Sequence, residues 1–229
     1  MSPPSSDITA ALITCWWFAV GTVIGSFLNV VVYGLPAGMS IVRPGSHCPA
    51  CKTPIRWYDT IPVLGWLVLA GRCRHCRGAI SPRYPLVEGL AGLVFLAVAW
   101  ADCYATNLAP AEAGFGPRVF AALRSPEALG LCVYHVALLS AILAAALIEL
   151  DGHAIPVRLA LLGLLAALAG LAVVPPVEGA VIAAAVVWYL LVRPSLAGRA
   201  TLLLPPSALL ALALLAWVLL RPFWGSLAG

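Results

Sequence analysis

The chain has 229 residues, of which 62% are hydrophobic and only 10% are charged. A soluble domain carries about 45–50% apolar and about 25% charged residues, so this composition excludes an ordinary soluble protein. We therefore expect an all-α polytopic membrane protein, with residues 1–33 as the first membrane segment. The first ten residues contain no Lys or Arg and do not predict a signal peptide, which needs a positive start.

Six apolar runs predict six membrane helices, because a span needs about 20 mostly apolar residues. Clusters of Pro and Gly separate these runs. The predicted spans are 8–33, 86–101, 128–149, 158–174, 178–192 and 205–220. A shorter apolar run at 61–70 is too short to cross a bilayer. It is expected either at the membrane surface or packed within the loop that contains it.

The segment 34–85 is the most basic part of the chain and holds seven of its 13 Lys and Arg residues. Cations concentrate in the cytoplasmic loops of membrane proteins. We therefore expect this segment in the cytoplasm and the N-terminus on the opposite side. It is called the tetracysteine loop below.

Two CxxC pairs in the tetracysteine loop predict a structural zinc site. Tetrahedral Zn²⁺ takes four thiolates, and two residues between paired ligands let one tight turn direct both sulfurs at the metal. A reducing cytoplasm favours thiolate–metal bonds over disulfides. A metal-free or redox-active thiol set is the alternative, and the flanking His47 and His75 are expected on the surface. The four candidate ligands are Cys48, Cys51, Cys73 and Cys76.

Motifs in the first part of the chain resemble those of the bacterial type IV prepilin peptidases. The resemblance is nearly continuous from Val20 to about Phe95. It rests on the opening motif from Gly25 to Val31 with Leu35–Pro36, on both CxxC pairs with the residues between them, and on the segment from Ile80 to Glu88.

This resemblance implies a membrane-embedded aspartic endopeptidase of the bacterial inner membrane. Such enzymes remove the leader from type IV prepilins and from the pseudopilins of type II secretion, and many also methylate the new amino terminus. The implied partners are leader segments and the lipid bilayer, without nucleic acid. S-adenosylmethionine is implied as a methyl donor by the resemblance alone. Residues 86–229 correspond to the peptidase core in the membrane.

The positions of the two catalytic aspartates depart from the family pattern. Counting back seven residues from Pro156 reaches Glu149 instead of Asp, and Asp151 follows two residues later. The second aspartate, in a Gly-x-Gly-Asp motif, corresponds to Thr201. A Thr hydroxyl does not ionise near neutral pH, so it cannot replace the partner carboxylate. We therefore expect the aspartic proteolysis to be impaired.

Two functions remain open from the sequence. One is a working peptidase or methyltransferase that uses unorthodox residues, and the other is a catalytically inactive pseudopeptidase in pilus or type II secretion assembly. A membrane thiol or metal sensor is a third reading. Glu88 is expected to pair with Arg83 or the tetracysteine loop, Asn29 to bond between helices, and His135 to be a packed polar residue.

Overall fold

The structure is a computed structural model that describes residues 4–42, 45–105, 125–173, 182, 185–186 and 205–225. Five long helices account for most of these described residues. A 3-10 turn at Trp57–Thr60 and the short helix α2, Leu64–Val68, lie within the tetracysteine loop. The long helices are α1 (Pro4–Gly34), α3 (Arg83–Ala105), α4 (Pro126–Leu150), α5 (Val157–Val173) and α6 (Pro206–Gly225).

Three of the helices are long and apolar enough to cross a membrane, namely Ala11–Gly34, Arg83–Asp102 and Ala128–Leu150. They correspond to the first three predicted spans. The apolar stretches Val157–Gly170 and Ser207–Leu220 are helical but shorter. Most of the predicted span 178–192 lies outside the described residues. The chain is thus a helical membrane protein, and the number of six spans stays a prediction.

Helix α4 occupies the centre of the described bundle. In the most apolar 18-residue stretch of α4, 72% of the residues are buried, against 22% in that of α1, which faces outward along most of its length. Leu138 and Ile148 are almost fully buried and belong to two separate clusters of core side chains. Since the charged end of α4 follows directly after Ile148, this packing fixes where its acidic residues lie.

Helices α1 and α3 pack very closely because small residues line their contact. A Cβ atom built on Gly21 would lie 2.7 Å from the Cβ of Phe95 and 2.8 Å from the carbonyl oxygen of Ala91. One built on Gly25 would lie 2.7 Å from the Cα of Glu88. Small residues let membrane helices approach in this way. The contact holds the two ends of the tetracysteine loop side by side.

We expect Gly21→Ala to destabilise the protein and Gly89→Ala to stabilise it. The first change pushes a methyl group into the backbone of α3, and overpacking of this kind costs about 1–3 kcal/mol. A Cβ on Gly89 meets nothing within 4 Å, and Ala is favoured over Gly in a helix by about 1 kcal/mol. Unfolding in mixed detergent micelles, followed by circular dichroism, measures both. Equal shifts in the two variants would contradict the close α1–α3 contact.

Candidate functional site

The first CxxC pair forms a tight knuckle closed by backbone hydrogen bonds. The Cys48 N–H donates to the carbonyl of Thr53 at 3.0 Å, and the Lys52 N–H donates to the carbonyl of Cys48 at 2.9 Å. Lys52 itself has a φ of 58°, in the left-handed region that a non-glycine residue rarely adopts. This turn directs the sulfurs of Cys48 and Cys51 to the same side.

The second CxxC pair repeats the same pattern. The Cys73 N–H donates to the carbonyl of Gly78 at 2.8 Å, and the Arg77 N–H donates to the carbonyl of Cys73 at 3.0 Å. Arg77, like Lys52, follows the second cysteine of its pair and has a positive φ, 60°. The two knuckles therefore share one backbone conformation, which each local sequence forms independently.

The two knuckles bring the four cysteines together at a distance that suits a metal ion. Their sulfur atoms all lie within 4.8 Å of one another, and the Sγ atoms of Cys48 and Cys76 are 3.8 Å apart. A tetrahedral site with Zn–S bonds of about 2.3 Å requires sulfur–sulfur distances of about 3.8 Å, whereas a disulfide requires about 2.05 Å. The arrangement of the four sulfurs is compatible with a metal site and too wide for disulfides.

The thiols of this cluster differ in how readily they ionise. The hydroxyl and then the backbone N–H of Thr53 lower the pKa of Cys51 to about 6. The backbone N–H groups of Cys76 and His75 lower the pKa of Cys73. For Cys76 the N–H of Gly78 acts in the same direction, but the neighbouring thiols and burial outweigh it and raise the pKa to about 11. Thiolates this close to one another repel, and a bound cation would offset that repulsion.

Residues between the knuckles tie the tetracysteine loop together. Arg74 donates two hydrogen bonds to the Asp59 carboxylate, at 2.6 and 2.8 Å, and this pairing lowers the pKa of Asp59. The indole N–H of Trp66 donates to the carbonyl of Ile80 at 3.0 Å. His47 and His75 are exposed, as expected from the sequence.

The buried carboxylate of Glu88 joins the loop to α3. Its Oε2 accepts a hydrogen bond from the backbone N–H of Val63 at 2.7 Å. The expectation that Glu88 pairs with Arg83 or the loop is confirmed for the loop. On the facing helix, the amide of Asn29 donates to the carbonyl of Tyr84 at 3.3 Å, so its expected role between helices is confirmed as well.

Glu149, at the last turn of α4, faces the first turn of α6. The Ser207 hydroxyl donates to Glu149 Oε2 at 2.5 Å, and the Ser207 backbone N–H lies 3.4 Å from the same oxygen. Ser207 is fully buried. The N-terminus of a helix carries a partial positive charge that favours a carboxylate. Glu149 therefore lies against the N-terminal turn of α6, where Ser207 holds its carboxylate.

Asp151 has a different partner from Glu149. Helix α4 ends at Leu150, and Asp151 is its C-cap residue. Its carboxylate accepts a hydrogen bond from Arg83 at 2.5 Å. This ion pair is partly exposed. Thr201, the expected partner position, lies outside the described residues. Two neighbouring acids in the sequence thus contact two different elements, α6 and the start of α3.

Sequence reasoning missed two polar residues that the fold places in important contacts. Ser207 gave no signal beyond its place after Pro205–Pro206 at the start of an apolar run. Asp102, at the end of α3, lies with its Oδ2 3.0 Å from Nδ1 of His135, and both side chains are 2% exposed. His135 is therefore a packed polar residue, as expected, but with an acidic partner that its own helix did not indicate.

Comparison with known proteins supports the resemblance over the N-terminal part of the chain. A family model described as the Bacterial Peptidase A24 N-terminal domain matches residues 19–101. A prepilin leader peptidase/N-methyltransferase of Myxococcus xanthus is 52% identical over 86 residues, covering 38% of this chain and 26% of that protein. One of Klebsiella pneumoniae is 47% identical over 85 residues, covering 34% and 37%. No solved structure matches the chain.

A further relative is the type 4 prepilin-like proteins leader peptide-processing enzyme of Escherichia coli O78:H11, 46% identical over 94 residues and covering 33% of this chain and 35% of that protein. The chain thus spans about a third of the length of the curated relatives it matches. The matched region contains the C-terminal half of α1, the tetracysteine loop and most of α3. These matches confirm, over residues 19–101, the resemblance to the type IV prepilin peptidase family.

Proposed function

We propose that the chain is a prepilin-peptidase-like membrane protein that binds the leader segments of type IV prepilins or pseudopilins, with its aspartic proteolysis impaired. The observation that carries this proposal is the pairing of Glu149 with Ser207. Glu149 stands at the position of the family's first catalytic aspartate, and its carboxylate accepts a hydrogen bond from the Ser207 hydroxyl. The likeness to prepilin leader peptidases supports the substrate class.

Aspartic proteolysis needs two carboxylates that share one water molecule and hold a single proton between them. Glu149 is bonded to Ser207 and Asp151 to Arg83. Glu88 is bonded to the backbone of the tetracysteine loop. Among the described residues, each acid near this end of the bundle thus has its own separate partner. This arrangement supports binding without cleavage.

We expect purified protein in detergent to bind a type IV prepilin and to leave its leader attached. Binding can be followed by fluorescence anisotropy of a labelled prepilin, and cleavage by mass spectrometry of its amino terminus. The prepilin leader peptidase of Klebsiella pneumoniae serves as the cleaving control on the same substrate. Cleavage that disappears in Glu149→Gln would contradict the proposal and would indicate Glu88 or Asp151 as the second acid.

The second candidate is a catalytically inactive pseudopeptidase that serves pilus or type II secretion assembly. The sequence change at Thr201, together with the pairing of Glu149, favours it over an unorthodox protease. It differs from the first proposal in its partner, which would be an assembly protein instead of a leader segment. Methyl transfer with S-adenosylmethionine rests on the names of the relatives, and no residue of this chain is assigned to it.

For the tetracysteine loop we propose a structural zinc ion held by its four cysteines, in a subdomain that spans residues 34–85. A zinc ion with four thiolates carries a net charge of about −2, and the cations of the loop offset it. The same excess of cations supports a location at the cytoplasmic face of the bacterial inner membrane. Residues 86–229 would then form the membrane domain, with six spans in the whole chain.

A further inference from the structure

Helix α2 presents an apolar face that no described part of the chain covers. Leu64, Leu67 and Val68 are 58%, 57% and 78% exposed. Residues spaced by three and four positions share one side of a helix, so these three side chains form a continuous stripe. In a protein surrounded by water such a stripe is unfavourable, since each exposed aliphatic side chain forfeits its burial.

The other side of α2 is fixed within the tetracysteine loop. Gly65 is buried, and a Cβ atom there would lie 2.2 Å from the carbonyl oxygen of Asp59. Trp66 donates its indole N–H to the carbonyl of Ile80. The helix therefore cannot turn its apolar stripe inward without breaking these contacts. These contacts within the loop therefore fix the orientation of the stripe.

The depth of α2 is set by its bond to α3. The N–H of Val63, the residue before α2, donates to Glu88, which lies five residues beyond Arg83, the first residue of α3. At about 1.5 Å per residue this is about 7.5 Å along the helix. Since α3 is long and apolar enough to span a membrane, α2 begins beside a membrane helix and not beyond its end.

The charges around α2 indicate which kind of surface covers the stripe. The tetracysteine loop contains seven Lys and Arg residues, and its only acid is Asp59, which is paired with Arg74. Trp57, in the 3-10 turn before α2, is 79% exposed, and Trp is the residue that prefers the headgroup level of bilayers. Apolar side chains flanked by Trp and cations are the pattern of helices that lie on anionic membranes.

We infer that α2 lies in the headgroup region of a bilayer rich in anionic lipid, with Leu64, Leu67 and Val68 inserted toward the acyl chains. The cations of the tetracysteine loop contact the lipid phosphates. This contact holds the loop against the membrane beside α3. This contact does not depend on whether leaders are cleaved. The apolar stripe contacts lipid and not a protein partner.

The first test places the photoreactive residue p-benzoylphenylalanine at position 67 or at position 75 of the full-length protein. His75 is exposed and polar, so position 75 is the matched control. In nanodiscs of phosphatidylethanolamine and phosphatidylglycerol, irradiation should yield a phospholipid adduct at position 67 that is several-fold more abundant than at position 75. Equal yields, or crosslinks to a second copy of the chain or to a prepilin in place of lipid, would overturn the inference.

The same adduct should be several-fold less abundant in nanodiscs of phosphatidylcholine alone, because no net negative charge then attracts the loop. An unchanged yield would overturn the assignment to anionic headgroups.

A second variant separates membrane contact from loop stability. Leu67→Gln/Val68→Gln changes only two well-exposed side chains. In nanodiscs it should accelerate trypsin cleavage within the tetracysteine loop several-fold, because the loop no longer rests on lipid. In micelles of a short-chain detergent, which contain no phospholipid headgroups, trypsin should cleave the variant and the unchanged protein at the same rate. Acceleration in both environments, or in neither, would overturn the inference.

Discussion

Purified protein should contain one Zn²⁺ per chain, and the variant Cys48→Ser/Cys73→Ser should contain none. The four sulfurs already lie within 4.8 Å of one another, and the double change removes one ligand from each knuckle. Few side chains of the tetracysteine loop are buried, so metal binding must provide much of its folding energy. In isolated zinc fingers that contribution is about 10–16 kcal/mol. Metal analysis by mass spectrometry measures the occupancy.

Loss of zinc should also unfold the tetracysteine loop, which limited trypsin digestion detects as new cleavage between Lys52 and Arg77. The variant Cys15→Ser is the matched control, because Cys15 is an exposed free cysteine on α1. It should retain both the metal and the resistance to trypsin. A metal-free protein with an intact loop, or disulfides within both CxxC pairs, would refute the zinc proposal.

The second large effect is expected from restoring the family's two aspartates. Glu149→Asp/Thr201→Asp should cleave a prepilin leader that the unchanged protein leaves attached. The pair of acids can then share a proton and activate water. Because misplacement of a reacting group by about 1 Å can cost about 100-fold in rate, the restored activity should stay well below that of an active relative. Appearance of the mature amino terminus, measured by mass spectrometry, reports it.

The variant Ser207→Ala tests whether Glu149 is merely blocked. This change frees Glu149 Oε2 from the hydroxyl that now contacts it but supplies no second carboxylate. We therefore expect the leader to stay attached in Ser207→Ala and in Glu149→Asp alone. Cleavage by either single variant would mean that another acid completes the pair. If the double aspartate variant does not cleave the leader and does not bind prepilin, the substrate groove has diverged as well.

The clustering of the four cysteines and the membrane character could be predicted from the sequence because both depend on short-range physics. A CxxC pair forms its knuckle through hydrogen bonds that span only a few residues, such as Lys52 N–H to the Cys48 carbonyl. Composition alone decides whether a helix prefers lipid to water. For the same reason the helices α1, α3 and α4 begin and end within a few residues of the predicted spans.

The partners of the acids were decided only by the tertiary structure. Glu149 meets Ser207 across 58 positions of sequence, and Asp151 meets Arg83 across 68. Asp102 meets His135 across 33. Each contact depends on the rotation and depth of two different helices, which local sequence does not specify because any face of an apolar helix is tolerated by lipid. The sequence by itself thus indicated the candidate metal ligands and the acids at the end of α4, whereas helix packing determined which partners these acids meet.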